Sequence, residues 1–424
     1  MGPPRPALPS RVIDLDHNAT TRPSPAVVAA VTASLSTYWH NPSSIHRAGQ
    51  DARNQVELAR AALASLVAAD PKEIIFTASG TEAIDLAIRG SLASLPHAPT
   101  PPVVVSTAVE HAAVRDLLGH LATRGQIDLR LAPVSRDGIV APDSLAPLLD
   151  AASLCSIQWA NNETGIIQPV AHIARLCREK RVTFHTDATQ WIGKEPIDSS
   201  SPVPDLLSFA PHKFHGPKGV GVLRVRRGVP LAPTLLGSQE LGRRGGTENV
   251  PGIVGAGVAA REAVAFLADP SLRTQQAALR DRFEAAILAA IPDAVVHGRA
   301  APRLWNTSNI AFPRLQAEAI LLMLSERGVC ASAGAACSSG SLDPSPVLLA
   351  MGIPPELAIG SVRFSLGRDT TVAEIHAAAA IVIECANRLR ASFECSAPNP
   401  ASRTSQSPIA SPHPSHRQSD SLSP

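Results

Sequence analysis

Aromatic residues are scarce in this chain. Phenylalanine, tryptophan and tyrosine together make up 3% of its 424 residues, with a single tyrosine. A core must therefore be built from Ala, Val, Leu and Ile, within an apolar share of 45%. The length can bury a large core and suits two domains. Charge of one sign is also missing. A net charge of +2 gives no electrostatic basis for binding nucleic acid or a membrane surface. No apolar run approaches a membrane span, and the opening MGPPRPALPSR has no apolar stretch of signal-peptide type. The six cysteines are scattered, without a C-x-x-C pair or a metal-ligand spacing. That argues against a metal centre and suits a reducing compartment, hence the cytoplasm. There is no internal repeat.

What the chain does have is alternation. Residues 1–11 are Pro-rich and expected to be unordered, and Val12–Thr21, VIDLDHNATT, is a strand-like run ending in polar turn residues. Residues 26–35 suit a helix, and in NPSSIHRAGQ Ser43 or Ser44 is expected to cap a helix through Leu66. From residue 74, apolar runs at Ile74–Phe76, Val103–Val105, Leu154–Trp159, Thr183–His185 and Leu206–Ala210 alternate with helical stretches at Glu82–Leu95, Ala112–Arg124 and Val170–Arg181. That is the signature of βαβ units and a mostly parallel sheet. Helical spacing returns at 255–290, long enough to bridge two domains, followed by a strand at 308–312, a helix at 316–327 and a last helix at 372–394. The Ser- and Pro-rich tail from Ser396 has almost no large apolar residues to offset its ordering entropy. The expected division is a disordered 1–11, a large domain over 12–262 whose first residues pack on the small domain, a small α/β domain over 263–395, and a disordered tail 396–424.

In open α/β sheets, ligands sit beyond the carboxyl ends of the strands. Small residues with Thr81 and Glu82 follow the strand at 74–76 and open a helix, a plausible anion cradle or an ordinary cap. Glu110-His111, then Asn161-Asn162-Glu163-Thr164-Gly165, then Asp187 and Gln190 follow the next strands. After Leu206–Ala210 come His212 and Lys213, held by a Gly/Pro turn. A lysine at the mouth of a buried strand can be partly dry, which favours the neutral amine that forms an imine with an aldehyde. Each feature alone has an ordinary structural explanation. As a set they offer an anion site, a stacking ring, an amide, a carboxylate and an amine, which are the requirements of pyridoxal 5′-phosphate.

Many ordered stretches match one family. LDHNATT, NPSSIHRAGQ, EHAAV, NNETG, HTDATQ, HKFHGPKGVG, RRGGTENV, ACSSGSLDPS and VRFSLGR occur in register from about residue 12 to 394. The chain resembles the cysteine desulfurases of the NifS/IscS type, in the class-V aminotransferase group of pyridoxal-phosphate enzymes. The resemblance implies a fold-type-I transferase, with a mostly parallel sheet in a large domain and a smaller α/β domain. It implies that Lys213 holds the cofactor aldehyde as an imine and that His111 stacks on the ring. Asp187 would pair with the ring nitrogen, and Gln190 and Asn162 with its oxygen side. Gly80, Thr81 and His212 would hold the phosphate, and Thr247 would reach the phosphate of the partner subunit in a homodimer. Arg363 would clamp the substrate carboxylate, with Asn162, Asn18 and Asn41 lining the same pocket. Two departures stand out: Ala210-Pro211 replaces the family's Ser-Gly, removing one hydroxyl, and TASGTE permutes its TSGATE.

Cys337 sits in ASAGAACSSGS, where ten of eleven residues are Ala, Ser or Gly. Such a segment offers little core for a buried thiol and suits a carrier arm. The resemblance implies that this cysteine takes the sulfur of L-cysteine as a persulfide, releasing alanine, and passes it to an acceptor protein, an iron–sulfur scaffold or a tRNA-thiolation relay. Cys155, Cys177, Cys330 and Cys385 are expected to be structural. Selenocysteine lysis or transamination on the same fold would use Lys213 and Asp187 equally well. A non-catalytic regulatory protein on this scaffold would have no need to keep Lys213, Asp187, His111 and Cys337.

Overall fold

In the computed structural model, which describes residues 12–333 and 343–396 (backbone alone for 393–396), the apolar runs assemble into a seven-stranded sheet. Its order is Ile74–Thr77, Gly221–Val225, Leu206–Phe209, Thr183–Asp187, Ala152–Ser156, Val103–Thr107 and Asp128–Ala132. Only Gly221–Val225 runs against the others. The strands Ile74–Thr77, Leu206–Phe209 and Gly221–Val225 are buried along their whole length, because both sheet faces are covered. The carboxyl ends at Thr77, Thr107, Ser156, Asp187 and Phe209 therefore share one edge.

The shortage of aromatics is met by close helix packing. Helix Val250–Leu267 lies against Pro25–Thr37 and Arg47–Leu66 in one apolar cluster. A Cβ on Gly257 would come within 2.7 Å of Ala59, and one on Gly255 within 2.6 Å of Val31, so glycine permits the approach. Among the described residues this is the one helix long and apolar enough to cross a membrane, which the linear reading overlooked. Half of it is buried in the protein core.

The helical stretch expected at 255–290 is two helices, Val250–Leu267 and Pro270–Ala290. Pro270 cannot continue the first, and the Asp269 side chain caps the second by accepting from Ser271 N at 2.9 Å. The boundary expected at 262/263 falls inside the first helix, which runs on to Leu267. Helix Pro270–Ala290 packs with Val372–Ser396 over a second, antiparallel sheet of Ser332–Ala333, Ser361–Ser365, Thr307–Ala311 and Val295–Val296. Phe283, Phe312 and Phe364 fill that core. The first strand, Ile13–Asp14, pairs in parallel with Val329–Cys330, and Asp16 bridges to Ser365. The cap of Arg47–Leu66 is His46, whose Nδ1 accepts from Gly49 N at 3.2 Å, rather than Ser43 or Ser44. Cys155, Cys177 and Cys385 are buried as expected, whereas Cys330 is exposed on its short edge strand.

One buried ion pair holds the loop that leads to Thr247. Arg60 donates to both carboxylate oxygens of Glu240 at 2.8 and 2.9 Å and to Ile74 O at 2.8 Å, and Glu240 also accepts from Phe76 N at 2.8 Å. Glu240, Leu241 and Gly242 all have positive φ, of 49°, 60° and 76°, so this turn needs tertiary support. Removing Glu240 leaves the buried Arg60 guanidinium with the half-exposed Glu57 as its one remaining carboxylate among the described residues, and Phe76 N without its acceptor. Glu240→Ala should therefore lose about 3–5 kcal/mol in denaturant unfolding, and a loss below about 1 kcal/mol would mean that the pair behaves as a surface salt bridge.

Candidate active site

Polar side chains at the shared strand edge enclose a cavity of about 310 Å³. Beyond Ile74–Thr77, Ser79 caps helix Gly80–Ala93 by accepting from Glu82 N at 3.1 Å, while Glu82 reaches back to Ala78 N at 2.8 Å. Gly80 and Thr81 open this helix and line the cavity. First-turn amides have no partner within a helix and favour an anion. A Cβ on Gly80 would sit 3.3 Å from the Ala210 methyl, so glycine keeps this corner open.

Beyond Val103–Thr107, His111 caps helix Ala112–Thr123 through Nδ1, which accepts from Ala113 N at 3.1 Å, and its ring lines the cavity. Glu110 beside it is fully buried and accepts from Thr107 Oγ1 at 2.7 Å and from Gln158 N at 3.0 Å. Burial pushes its carboxyl up to about 8. After Ala152–Ser156, Asn161 Oδ1 accepts from the backbone of Glu163 and Thr164 and so shapes the NNETG turn. Asn162 lines the cavity, and its Oδ1 is buried without a hydrogen-bond partner among the described residues.

Asp187 ends strand Thr183–Asp187, with Oδ1 accepting from Thr189 N at 2.9 Å. Gln190 follows one turn later. His212 and Lys213 sit on the short turn Pro211–Lys213, which is laced to the start of the chain. Thr21 N donates to His212 O at 2.9 Å, and His215 N to Thr21 Oγ1 at 2.6 Å. Lys213 Nζ donates to Asn18 O at 2.7 Å and Ala19 O at 2.8 Å. Burial, with Lys213 and Lys218 nearby, lowers the His212 imidazole to about 4, so it is neutral at physiological pH.

The second sheet supplies Arg363. Its guanidinium donates to Asp16 Oδ1 at 2.8 Å and Asn162 O at 3.1 Å, and its buried Nε has no partner among the described residues. Asn18 connects both sheets and the cavity: its side chain donates to Asn162 O and Thr307 Oγ1 and accepts from Lys194 Nζ and Asn306 Nδ2.

The expected residues Asn18, Gly80, Thr81, His111, Asn162, Asp187, Gln190, His212, Lys213 and Arg363 thus line one cavity. Asn41 and Thr247 do not line it. Asn41 is exposed, with its Oδ1 accepting from Ser43 N, and Thr247 is exposed on a loop anchored by the Arg244–Glu82 ion pair at 2.7 Å. Cys337 lies outside the described residues. Linear reading missed Lys194, buried beside Gln190, and Asp16, which orients Arg363. The available signal for Lys194 was its position four residues after Gln190; for Asp16 nothing local separates it from a surface carboxylate.

This constellation fits pyridoxal 5′-phosphate. The corner at Gly80 has room and open amides for a phosphate, Asp187 offers a carboxylate to a ring nitrogen, and Asn162 Oδ1 and Arg363 Nε are buried polar atoms awaiting a partner.

The family model described as aminotransferase class-V matches residues 13–377, and the chain belongs to that family. It is 44% identical over 381 residues to a cysteine desulfurase of Nostoc sp., covering 90% of this chain and 94% of that one. It is 45% identical to the cysteine desulfurase NifS of Azotobacter vinelandii, covering 85% of this chain and 89% of the relative. A solved NifS-like protein superposes with a TM-score of 0.81 at 32% identity, covering 89% of this chain and all of the other. The expected α/β fold with a mostly parallel sheet is borne out.

Glu110 gives the site a measurable pH signature. Its folded pKa, about 8, lies above the ordinary carboxylate value, so the folded chain holds this proton more tightly. The associated stability is full below the ordinary carboxylate range and is lost as pH rises through about 8. Wild-type melting temperature should therefore fall relative to Glu110→Gln across that window. Parallel pH curves for the two proteins would show that Glu110 is already ionised at neutral pH.

Proposed function

We propose that the protein is a pyridoxal-phosphate-dependent cysteine desulfurase that converts L-cysteine to L-alanine and passes the sulfur to Cys337. The observation that carries this reading is the convergence of Lys213, Asp187, His111 and Arg363 on one cavity at the strand edge. The cofactor, when bound, supplies an aldehyde for amines and a ring that withdraws electrons from the substrate α-carbon.

The remaining roles belong to the chain. Lys213 would hold the cofactor through its amine, at the cavity wall where the substrate amine arrives. Asp187 would keep the ring nitrogen protonated, and Gly80, Thr81 and the neutral His212 would hold the phosphate. Arg363, oriented by Asp16, receives the substrate carboxylate, a task suited to a planar guanidinium. His111, which lines the same cavity, would hold or move a proton beside the bound ring. The Cys337 thiolate attacks the substrate sulfur: the S–S bond forms, the C–S bond breaks, and its electron pair stays on the β-carbon, which takes a proton to become the methyl of alanine. A persulfide is left on Cys337, ready for an acceptor protein of an iron–sulfur or tRNA-thiolation system in the cytoplasm. Ala210, beside Gly80, lacks the hydroxyl of the family pattern, so one hydrogen bond to the phosphate is absent.

The two halves of the chemistry should separate by mutation. Lys213→Ala should lose the visible absorbance of the lysine-bound cofactor together with turnover. Cys337→Ser should stay yellow and still respond spectrally to L-cysteine, while sulfide release falls to background. Wild-type turnover in Lys213→Ala would refute the lysine assignment, and retained sulfide release in Cys337→Ser would refute the persulfide step.

Thr247 belongs to the same reading, as a residue that completes the phosphate site of a second copy. Its exposure, on the same loop region as the exposed apolar side chains of Leu236 and Leu241, supports this arrangement. Co-expressing Lys213→Ala with Thr247→Ala chains should produce mixed dimers with one intact site each, and activity above the mean of the parents. Activity equal to that mean, or a fully active monomer at high dilution, would refute the shared site.

A further inference from the structure

Lys194 is a buried lysine that the reaction does not use. It does not line the cavity, yet it stands directly behind Gln190, which does. Its Nζ donates to two amide oxygens, Gln190 Oε1 at 2.5 Å and Asn18 Oδ1 at 2.8 Å. Burial, reinforced by the nearby charges of Lys213 and Arg363, holds its pKa well below the usual lysine range. An ammonium offers three donors and no acceptor, and a neutral amine still offers two donors for these two oxygens. The ammonium cannot accept from Gln190; a neutral amine has one lone pair that can, but the Asn18 carbonyl on the other side of the amide needs an N–H, so in either form the Gln190 oxygen faces Lys194.

The rest of the amide follows. With Oε1 turned to Lys194, Gln190 Nε2 donates to Asn18 O at 3.0 Å. An amide nitrogen carries two N–H groups, so the second remains for the cavity. The flipped amide would set its oxygen against the Asn18 carbonyl in either form and, with Lys194 as the ammonium, N–H against N–H as well. It would also turn a carbonyl oxygen toward the ligand. Asn306, donating to Asn18 Oδ1 at 3.0 Å, fixes the neighbouring amide in the same sense.

We propose that Lys194 is a positioning residue that locks the Gln190 amide with its N–H₂ toward the cavity, so that the site is preset for an anionic ring oxygen rather than a hydroxyl. This rests on the pyridoxal-phosphate reading above and adds to it the ionisation state that the wall selects. Lys194 touches neither cofactor nor substrate; it acts through Gln190.

The test uses the full-length protein loaded with pyridoxal 5′-phosphate. Visible spectra and cofactor retention during dialysis are compared for wild type, Lys194→Met, Lys194→Gln, Gln190→Ala and the Lys194→Met/Gln190→Ala double variant. Lys194→Met should shift the visible band and weaken retention by up to about tenfold, the equivalent of one hydrogen bond. Lys194→Gln, which regains an N–H donor, should restore the wild-type band. Gln190→Ala should have its full effect in the wild-type background and almost none beside Lys194→Met, an interaction that a merely structural lysine would not produce. Absence of any visible band in wild type would defeat the cofactor reading itself. A normal band in Lys194→Met, with Gln190→Ala still fully effective there, would overturn the Lys194 assignment alone. Should Lys194→Met fail to fold, Lys194→Gln decides: a wild-type band supports the lock, and a band like that of Gln190→Ala overturns it.

Discussion

Asn18 is the residue on which the two sheets and the cavity depend. All four side-chain hydrogen-bonding positions are used: two N–H donors reach Thr307 Oγ1 and Asn162 O, and the oxygen accepts from Lys194 and Asn306. Its backbone N–H donates to Ser365 Oγ at 2.9 Å, and its carbonyl accepts from both Lys213 and Gln190. A buried network satisfied to this degree tolerates little displacement, because any lost bond leaves a polar atom dry. Asn18 therefore sets the Lys213 amine, the Gln190 amide and the second sheet in one fixed relation.

Around this hub the charges are arranged for anions. Lys213 and Arg363 lie close enough to Lys194 for their charges to add to the effect of its burial and lower its pKa. Against them stand Asp187, Asp16 and the buried Glu163, whose carboxyl is raised by burial while Ser345 Oγ donates to it at 2.6 Å. Burial also favours the protonated form of Glu110. A site with several cations and two carboxyls biased toward the neutral state suits a ligand carrying a phosphate and a substrate carboxylate together.

Local pattern carried much of this fold, for identifiable reasons. Strands buried on both faces read as plain apolar runs, and the polar residue at each end marks the site edge; Asp187 and Lys213 were found in this way. The edge strand Asp128–Ala132 escaped because Asp128, Arg130 and the exposed Leu131 break the apolar run. Two-residue strands such as Ile13–Asp14 have no pattern of their own and exist through their partners. The break at Asp269-Pro270 was written in the sequence but masked by continuous helical periodicity on either side. Lys194 and Asp16 were invisible for a different reason. Their roles depend on Gln190, Asn18 and Arg363, and the last two are brought to them only by the closed fold.

The attachment of the chain's beginning to its end has a consequence for biosynthesis. Ile13 and Leu15 bond to Gly328 O and Cys330 O, and Leu15 O accepts from Ser365 N at 2.7 Å. The segment that carries Asn18 and cradles the Lys213 amine thus docks on strands made more than three hundred residues later. On a ribosome synthesising in order, the large sheet can form while this first segment still waits without a partner. The pocket closes only after Ser361–Ser365 has emerged, so its completion waits on that strand, and products truncated before it lack the pocket's floor.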